Sequence, residues 1–535
     1  MESLTFPATT AGTERQTSAA GWRRWTGHSP LPLAAITLAA AIIRLHALAG
    51  RGLWLDEAIS VSISKNSIAA LFQVIRDREI YMALYYGVLH YWLLLGDSEF
   101  AIRLLSVIFS VATLPVVCAL GRRLFGRYPA LLAAGLLAVN SFHVRFAQEA
   151  RSYSLAIFLA AVATWLLVRN LQEPQRASWA AYGVCLSLMV YSHLYTVLIV
   201  AAHAVAILCL PRGGIPWKGA LKSAGWFACL TTPMLLAALR IMTKSYVLDW
   251  NSSVGFSNLP DFLVVAAGNR GFLLVALDAI AVAALALHAA RARLRTGNSR
   301  ESWPAVLVLL WFFLPLALSL AIAEHWPPFV PRYLLPCLPA LLVAVGAGLT
   351  FIRPRSVAWT LGCAIFLFNI EGFQSCYHLS GVLDDWRGIT SSIFTQARPG
   401  DAVFIYPEYA RIPYDYYRDR AKPQPAWPRD VAVGGATRGN AGQGSAAAPV
   451  KRVWLILHHP SPLTLEDRRN FRAGFDAWRS RGWTLVQPQE LPMVLVLLFE
   501  AASPDAAPPQ QLPNPFLPAP PHEKGVSFGD ASGTH

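Results

Sequence analysis

The sequence predicts a polytopic α-helical membrane protein that carries a small α/β domain outside the cytoplasm at its carboxy-terminal end. Three observations predict it. Hydrophobic residues make up 55% of the 535-residue chain and charged residues only 14%, where a soluble globular protein carries about 25% charged residues. Apolar stretches long enough to cross a bilayer as helices recur through the first 370 or so positions. The loops between them alternate in charge, as the loops of a multi-span protein do.

Positions 1–30 are polar, with Arg15, Arg23 and Arg24, and form a tail on the cytoplasmic side. The apolar run from Leu31 to Gly50 is too long for the hydrophobic segment of a signal peptide and has no convincing cleavage site. It is read as a retained first span. Ten more follow, giving eleven in all: 31–49, 101–120, 129–142, 153–169, 179–193, 194–210, 223–240, 271–290, 303–323, 333–350 and 357–373. Alternate loops hold the basic clusters: Gly121 to Arg127, Arg169 to Arg176, Pro211 to Lys222, Arg291 to Arg300, and Arg353 with Arg355. The opposite loops hold most of the acids, among them Asp56, Glu57, Asp77, Glu79, Asp97, Glu99, Glu149, Asp249, Asp261 and Glu324. Lys and Arg mark the cytoplasmic side. The amino terminus is therefore expected in the cytoplasm and the carboxy terminus on the periplasmic or extracytoplasmic side of a plasma or inner membrane.

The first external loop, 50–100, contains the stretch Ser67 to Gly96, which is aromatic and apolar but interrupted by Arg76, Asp77, Arg78 and Glu79. A span here would invert every basic loop after it, so an amphipathic helix lying in the interface is expected. Tyr81, Tyr85, Tyr86, Tyr91 and Trp92 suit the headgroup level. The membrane domain thus covers 31–373.

Past residue 374 the apolar runs shorten. Gly400 to Tyr406, Lys451 to Leu457 and Met493 to Phe499 have the length of buried strands, and Phe471 to Arg481 has an amphipathic helical pattern. Residues 374–502 form the external α/β domain, with a Gly/Ala-rich flexible loop at 430–449. Residues 503–535 are Pro-rich and read as a disordered tail. No internal repeat is evident, which weakens an inverted-repeat transporter.

The net charge of +14 would suit a nucleic-acid partner in a soluble protein. Here the basic residues sit in short clusters between apolar stretches, and no nucleic-acid-binding motif is present, so the charge sets topology instead. The seven cysteines lie mostly inside apolar stretches and show neither a CxxC pair nor Cys/His ligand spacing, so no metal or other cofactor is expected.

Four features carry potential chemistry. Asp56 and Glu57, in Arg51-Gly-Leu-Trp-Leu-Asp-Glu57, follow the first span at the external surface; a carboxylate there can act as general base toward a hydroxyl, or be a solvated acidic pair at a helix end. Glu149 and Arg151, in Phe146-Ala-Gln-Glu-Ala-Arg-Ser-Tyr153, occupy the next external turn. Arg151 either offers its planar fork to phosphate oxygens or seals the turn by pairing with Glu149. His193, in Tyr191-Ser-His-Leu-Tyr195, is a hydrogen-bonded structural residue or a site member. Arg332 and Tyr333, in Phe329-Val-Pro-Arg-Tyr-Leu-Leu-Pro336, enter the tenth span from outside, with Arg332 either snorkelling or contacting a second phosphate oxygen. All four fall on the external face, as a site for an anionic lipid headgroup would.

The ordered motifs Trp54 to Glu57, Leu84 to Trp92, Ala101 to Leu105, Gly121 to Gly126, Gln148 to Tyr153, Tyr191 to Tyr195, Pro331 to Pro336, Asp385-Trp-Arg387 and Pro399-Gly-Asp401 resemble those of the family 39 glycosyltransferases. That family includes protein mannosyltransferases, aminoarabinose transferases acting on lipid A, and galacturonosyltransferase-like bacterial members. The resemblance spans about 31–420. It implies the GT-C fold, a polyprenyl-phosphate sugar as donor, an acceptor hydroxyl on a glycan, lipid or protein, and inverting transfer without an essential metal. Carried over, Asp56 is the general base and Glu57 orients the acceptor or reaction centre. Arg151 and Arg332 take the donor phosphate with His193 and Tyr333, while Glu149, Tyr85, Tyr86 and Tyr153 belong to the acceptor side and the loops. The chain departs from many relatives where Ile80-Tyr-Met-Ala83 replaces a Pro-Pro pair, so the basic donor contact of the aminoarabinose transferases is missing there. A transporter or flippase of lipid-linked sugars is the alternative from another class, and a non-catalytic membrane scaffold the third.

Overall fold

The structure is a computed structural model that describes residues 30–211, 214–242, 256–296, 299–323, 329–374, 384–421, 429–430, 450–458, 469, 475–476, 478–491 and 493–502. The chain divides into two units. One is Met1–Leu48 with Ile63–His378; the other is Ala49–Ser62 with Leu379–His535. The short segment that carries Asp56 and Glu57 therefore groups with the carboxy-terminal residues.

The first unit is helical. Six of its helices are long and apolar enough to cross a membrane: Glu99–Phe125, Tyr153–Gln172, Trp217–Ile241, Gly271–Arg295, Arg300–Ile322 and Pro331–Phe351. A seventh span is possible if the pair Arg127–Val139 and Ser141–Ala147, bent by 58°, counts as one. The shorter apolar helices Leu31–Leu45, Trp179–Ser192 and Leu194–Leu208 occupy three more of the expected spans. The expected span 357–373 falls on the helix Arg355–Gln374, which is not among those meeting the length and apolarity test. Among the described residues, length and apolarity thus support six or seven spans plus shorter apolar helices.

Local sequence explains the helix ends. Ser98 accepts the Ala101 N–H and opens Glu99–Phe125, and Gly126, at φ 93°, closes it. Pro331–Phe351 lies deepest in the unit, 89% buried. Its close packing depends on glycine. A Cβ on Gly346 would stand 2.7 Å from the Pro129 carbonyl oxygen, and one on Gly348 would run into the Ala281 carbonyl.

Residues 67–96 differ from expectation. They form separate short helices, Ile68–Asp77, Ile80–Met82, Ala83–Trp92 and Leu93–Leu95, not one interfacial helix. Tyr85 and Tyr86 are fully buried, whereas Tyr91 is exposed. Tyr86 tolerates burial because its hydroxyl donates to Glu79 at 3.0 Å.

The second unit contains a five-stranded sheet. Its strands are β1 (Ala402–Tyr406), β2 (Arg429–Asp430), β3 (Arg452–His458), β4 (Trp483–Leu491) and β5 (Val494–Ala501), in the order β2-β1-β3-β5-β4. β1 is parallel to β2 and β3; β5 is antiparallel to β3 and β4. The strand periodicity of two splits the apolar residues between faces. Val403, Ile405, Trp454 and Ile456 pack with Trp386, Ile389 and Tyr414. Ala402, Phe404, Val453 and Leu455 pack with Trp478, Trp483 and Phe499. Asp401 fixes the entry to β1 by accepting from the Arg398 N–H and from Trp454 Nε1, each at 3.0 Å. Most of the expected helix Phe471–Arg481, the loop 430–449, and the tails 1–29 and 503–535 lie outside the described residues.

Candidate active site

Asp56 and Glu57 sit in the first turn of the helix Leu55–Ser64. Trp54 precedes that helix, and its carbonyl accepts the first helical hydrogen bond, from the Ala58 N–H at 3.0 Å. Glu57 is fully buried and reaches back so that Oε2 accepts the Trp54 N–H at 3.3 Å. This is the glutamate half of a capping box. The paired acids are therefore unlike. Glu57 is buried and bound to its own turn, and Asp56 is only partly covered, with its carbonyl accepting from Ser60 Oγ at 2.8 Å.

Within the same unit, Asp384 Oδ2 accepts the Leu55 N–H at 3.3 Å and a hydrogen bond from Trp386 Nε1. His458 Nε2 lies 3.6 Å from the same oxygen. The Tyr409 ring stands edge-on to His458 at 5.7 Å. Burial pushes the Asp384 carboxyl up to about 6; the hydrogen bonds from Trp386 and Leu55 work against that rise, and the charge of Asp56 adds to it. Burial likewise raises the Tyr409 hydroxyl to about 12.

The helical unit brings together the remaining expected residues. Tyr153 stacks between Phe146, at 4.8 Å between ring centres, and His193, at 5.6 Å. His193 meets Tyr333 at 5.0 Å, and Tyr333 meets Tyr195 at 5.3 Å. Arg332 lies 5.8 Å from the Tyr333 ring. Both Arg151 and Arg332 act on His193 through their charge. His193 Nδ1 is buried and has no hydrogen-bond partner among the described residues. The charges of two guanidinium groups are thus felt at an imidazole that lies in an aromatic cluster. Such an arrangement favours an anion, because each guanidinium presents a planar fork of donors.

Glu149 is also buried, with Oε1 3.5 Å from Arg145 Nε. Arg145 is thus one charge partner of Glu149, and the Arg151 N–H donates to the Glu149 carbonyl at 2.8 Å. The buried Tyr85 and Tyr86 pack edge to face at 6.3 Å. Among the described residues, no three His, Cys, Asp or Glu side chains converge as metal ligands would.

Sequence reasoning missed the support beneath this cluster. The expected span 129–142 breaks at Asn140, whose Oδ1 accepts the His143 N–H at 3.1 Å and whose Nδ2 donates to the Ala266 carbonyl at 3.0 Å. Arg44 clamps the break. Its Nη1 and Nη2 donate to the Ala138 and Leu137 carbonyls at 2.8 and 3.0 Å, Nη2 also meets His143 Nδ1 at 2.8 Å, and Nε donates to Ser110 Oγ at 2.8 Å. Gln148 Nε2 then ties the turn to the end of the first helix, at the carbonyls of Arg44 and His46. A charge inside an apolar span was the available signal, since such residues need specific partners.

Residues 85–239 match the family described as dolichyl-phosphate-mannose-protein mannosyltransferase. No curated protein sequence matches the chain. Among solved structures, ArnT from Cupriavidus metallidurans in the apo state is similar at a TM-score of 0.56 and 14% identity, over 92% of this chain and 100% of ArnT. ArnT from the same organism bound to undecaprenyl phosphate is similar at 0.53 and 14%, with the same coverage. The matching segment covers less than a third of the chain, and the likeness to the two ArnT structures shows the fold: a polytopic helical unit followed by a mixed sheet, similar to ArnT.

Proposed function

We propose that this protein transfers a sugar from a polyprenyl-phosphate donor to an acceptor hydroxyl of a cell-envelope lipid, glycan or protein, on the external face and with inversion. The observation that carries this reading is the cluster of Tyr153, His193, Tyr333 and Arg332, in which His193 Nδ1 is buried without a hydrogen-bond partner among the described residues. Buried polar atoms are normally satisfied, and a phosphate oxygen supplies what this group of donors requires. ArnT bound to undecaprenyl phosphate supports a lipid of that type as the donor carrier.

Arg151 and Arg332 bind the donor phosphate, which gains negative charge as the bond from the anomeric carbon to phosphate oxygen breaks and its electron pair leaves with the phosphate. His193 and Tyr333 complete that contact, and Tyr153 packs against the imidazole. The acceptor hydroxyl attacks the anomeric carbon from the opposite side, and its proton passes to Asp56. Glu57 contributes by fixing the turn that presents Asp56. Glu149, with Arg145, holds the shape of the turn before Arg151. The basic clusters support an amino terminus in the cytoplasm and a sheet-containing unit outside.

A flippase for lipid-linked sugars would also use broken helices and buried charge, and the bend at Asn140 and Arg44 are such features. Arg44, however, engages helix carbonyls, Ser110 and His143 with its donors, which suits a clamp better than an ion path. Deletion of the gene in its host, followed by mass analysis of lipids and envelope glycans, tests the reading. Loss of one sugar from an acceptor, with the acceptor's remaining structure intact, is expected. Loss of the sugar with its lipid-linked donor accumulating at the cytoplasmic leaflet, and not at the external one, would support the flippase instead.

A further inference from the structure

Residues 49–55 precede Asp56 and have no regular structure until Leu55. Four residues of the carboxy-terminal domain meet this stretch. Arg387 Nη2 donates to the Ala49 carbonyl at 2.9 Å and the Arg51 carbonyl at 2.8 Å. The Leu53 N–H donates to the Tyr417 hydroxyl at 2.5 Å, and the Leu55 N–H donates to Asp384 at 3.3 Å. Gly52 lies against Asp385 and Arg387 so closely that a Cβ would stand 2.8 Å from Asp385 Oδ1 and 3.0 Å from Arg387 Cβ. The strand-like stretch is thus held at residues 49, 51, 53 and 55, with a glycine where the two backbones approach.

We propose that Asp384, Arg387 and Tyr417 are positioning residues that seat the 49–55 stretch and so set where Asp56 presents its carboxylate, which makes the external domain an integral part of the transferase site. The inference rests on the reading of Asp56 as the general base. The logic is that of preorganisation: a base misplaced by about 1 Å costs on the order of 100-fold in rate, and a bare loop pays conformational entropy each time it orders. The helix cap alone cannot do this, because the Glu57–Trp54 bond fixes the turn internally and not the direction from which the chain enters it. Arg387 and Tyr417 supply that direction from the helices Trp386–Gln396 and Arg411–Arg418, whose Trp386 and Tyr414 are buried in the domain core.

The test uses the full-length chain in the host deletion strain and after purification, with Tyr417→Phe, Arg387→Met, Arg387→Lys and Gly52→Ala. Three quantities are read: transfer onto the native acceptor, affinity for undecaprenyl phosphate, and hydrogen exchange of the peptide containing residues 49–56. Tyr417→Phe and Arg387→Met are expected to lower transfer per folded molecule at least 10-fold, to leave undecaprenyl phosphate affinity within about 3-fold, and to speed exchange in that peptide. Arg387→Lys should recover part of the loss, and Gly52→Ala should mimic it without removing any hydrogen bond. Wild-type transfer per folded molecule in the Phe and Met variants would overturn the proposal, whatever their melting temperatures. Asp56→Asn is the separating arm: if it retains full transfer, the base assignment fails; if it is inactive while the Phe and Met variants are normal, only the positioning role fails.

Discussion

Glu57 Oε2 accepts the backbone N–H of Trp54 at 3.3 Å, so the second carboxylate of the acidic pair closes the turn on which the first is displayed. Two adjacent acids with one buried and one partly exposed divide the labour between shape and chemistry. Glu57→Gln keeps an acceptor in place of the carboxylate and should retain a substantial fraction of transfer. Glu57→Ala removes the cap, an effect of about 1 kcal/mol on the turn alone, and should reduce transfer more than 10-fold. Equal activity of the Gln and Ala variants in native membranes would show that the cap is not its contribution.

Arg332 stands 5.8 Å from the Tyr333 ring, which packs against His193, and the charges of Arg151 and Arg332 both act on that imidazole. Hydrogen bonds to charged groups contribute about 1.5–3 kcal/mol each, so Arg151→Met or Arg332→Met should weaken undecaprenyl phosphate binding roughly 10- to 100-fold. Lysine at either position restores charge but not the fork, and should recover only part. Calorimetric titration in detergent checks this, and an affinity insensitive to both substitutions would remove the pair from the phosphate site.

Arg44 is fully buried and bridges the first helix to the carbonyls at the bend. Breaking a buried charged contact typically costs about 3–5 kcal/mol. Arg44→Met should therefore lower the melting temperature of the purified chain and release the 145–153 turn, visible as faster hydrogen exchange there. An unchanged melting temperature would mean the bend is held without it.

Asp384 gives a pH dependence with a definite sign. Its carboxyl is raised from 3.8 to about 6, so the folded chain binds that proton more tightly than the unfolded chain does. Its contribution is then most favourable below about 4 and declines as pH rises through about 6, by at most ~3 kcal/mol. Asp384→Asn retains an acceptor for the Leu55 N–H and removes the buried charge, so it should be more stable than wild type at pH 7 and equal to it near pH 4. Thermal unfolding at the two pH values checks this; a stability gap that does not narrow on acidification would contradict it.

Much of the fold was legible because apolarity is a local property. The long spans, and strands β1, β3 and β5, are contiguous apolar runs. β4 was not found, because Trp483-Thr-Leu-Val-Gln-Pro-Gln-Glu-Leu491 mixes polar residues with a proline and only its place at the sheet edge makes it a strand. The bend at Asn140 was invisible within an apolar run read as one span. The external loop motifs carried Arg151, His193, Arg332 and Tyr333, which the helical unit does bring together. The clamp formed by Arg44 was not legible, since its partners Ser110, Leu137, Ala138 and His143 lie 66 to 99 residues away. Asp384 and Tyr417 are 329 and 364 residues from the backbone groups they hold, a separation at which no pattern links them. The capping role of Glu57, three residues after Trp54, was readable and was passed over in favour of chemistry.

The central claim is that Asp56 takes the acceptor proton in a sugar transfer from a polyprenyl-phosphate donor. The most direct measurement restores the host deletion strain with Asp56→Asn and follows sugar addition to the native acceptor by mass, with undecaprenyl phosphate affinity of the purified variant as the control for folding. The account predicts transfer reduced at least 100-fold, as expected for loss of a general base, with lipid phosphate affinity within about 3-fold of wild type. Transfer at the wild-type level by Asp56→Asn would contradict it.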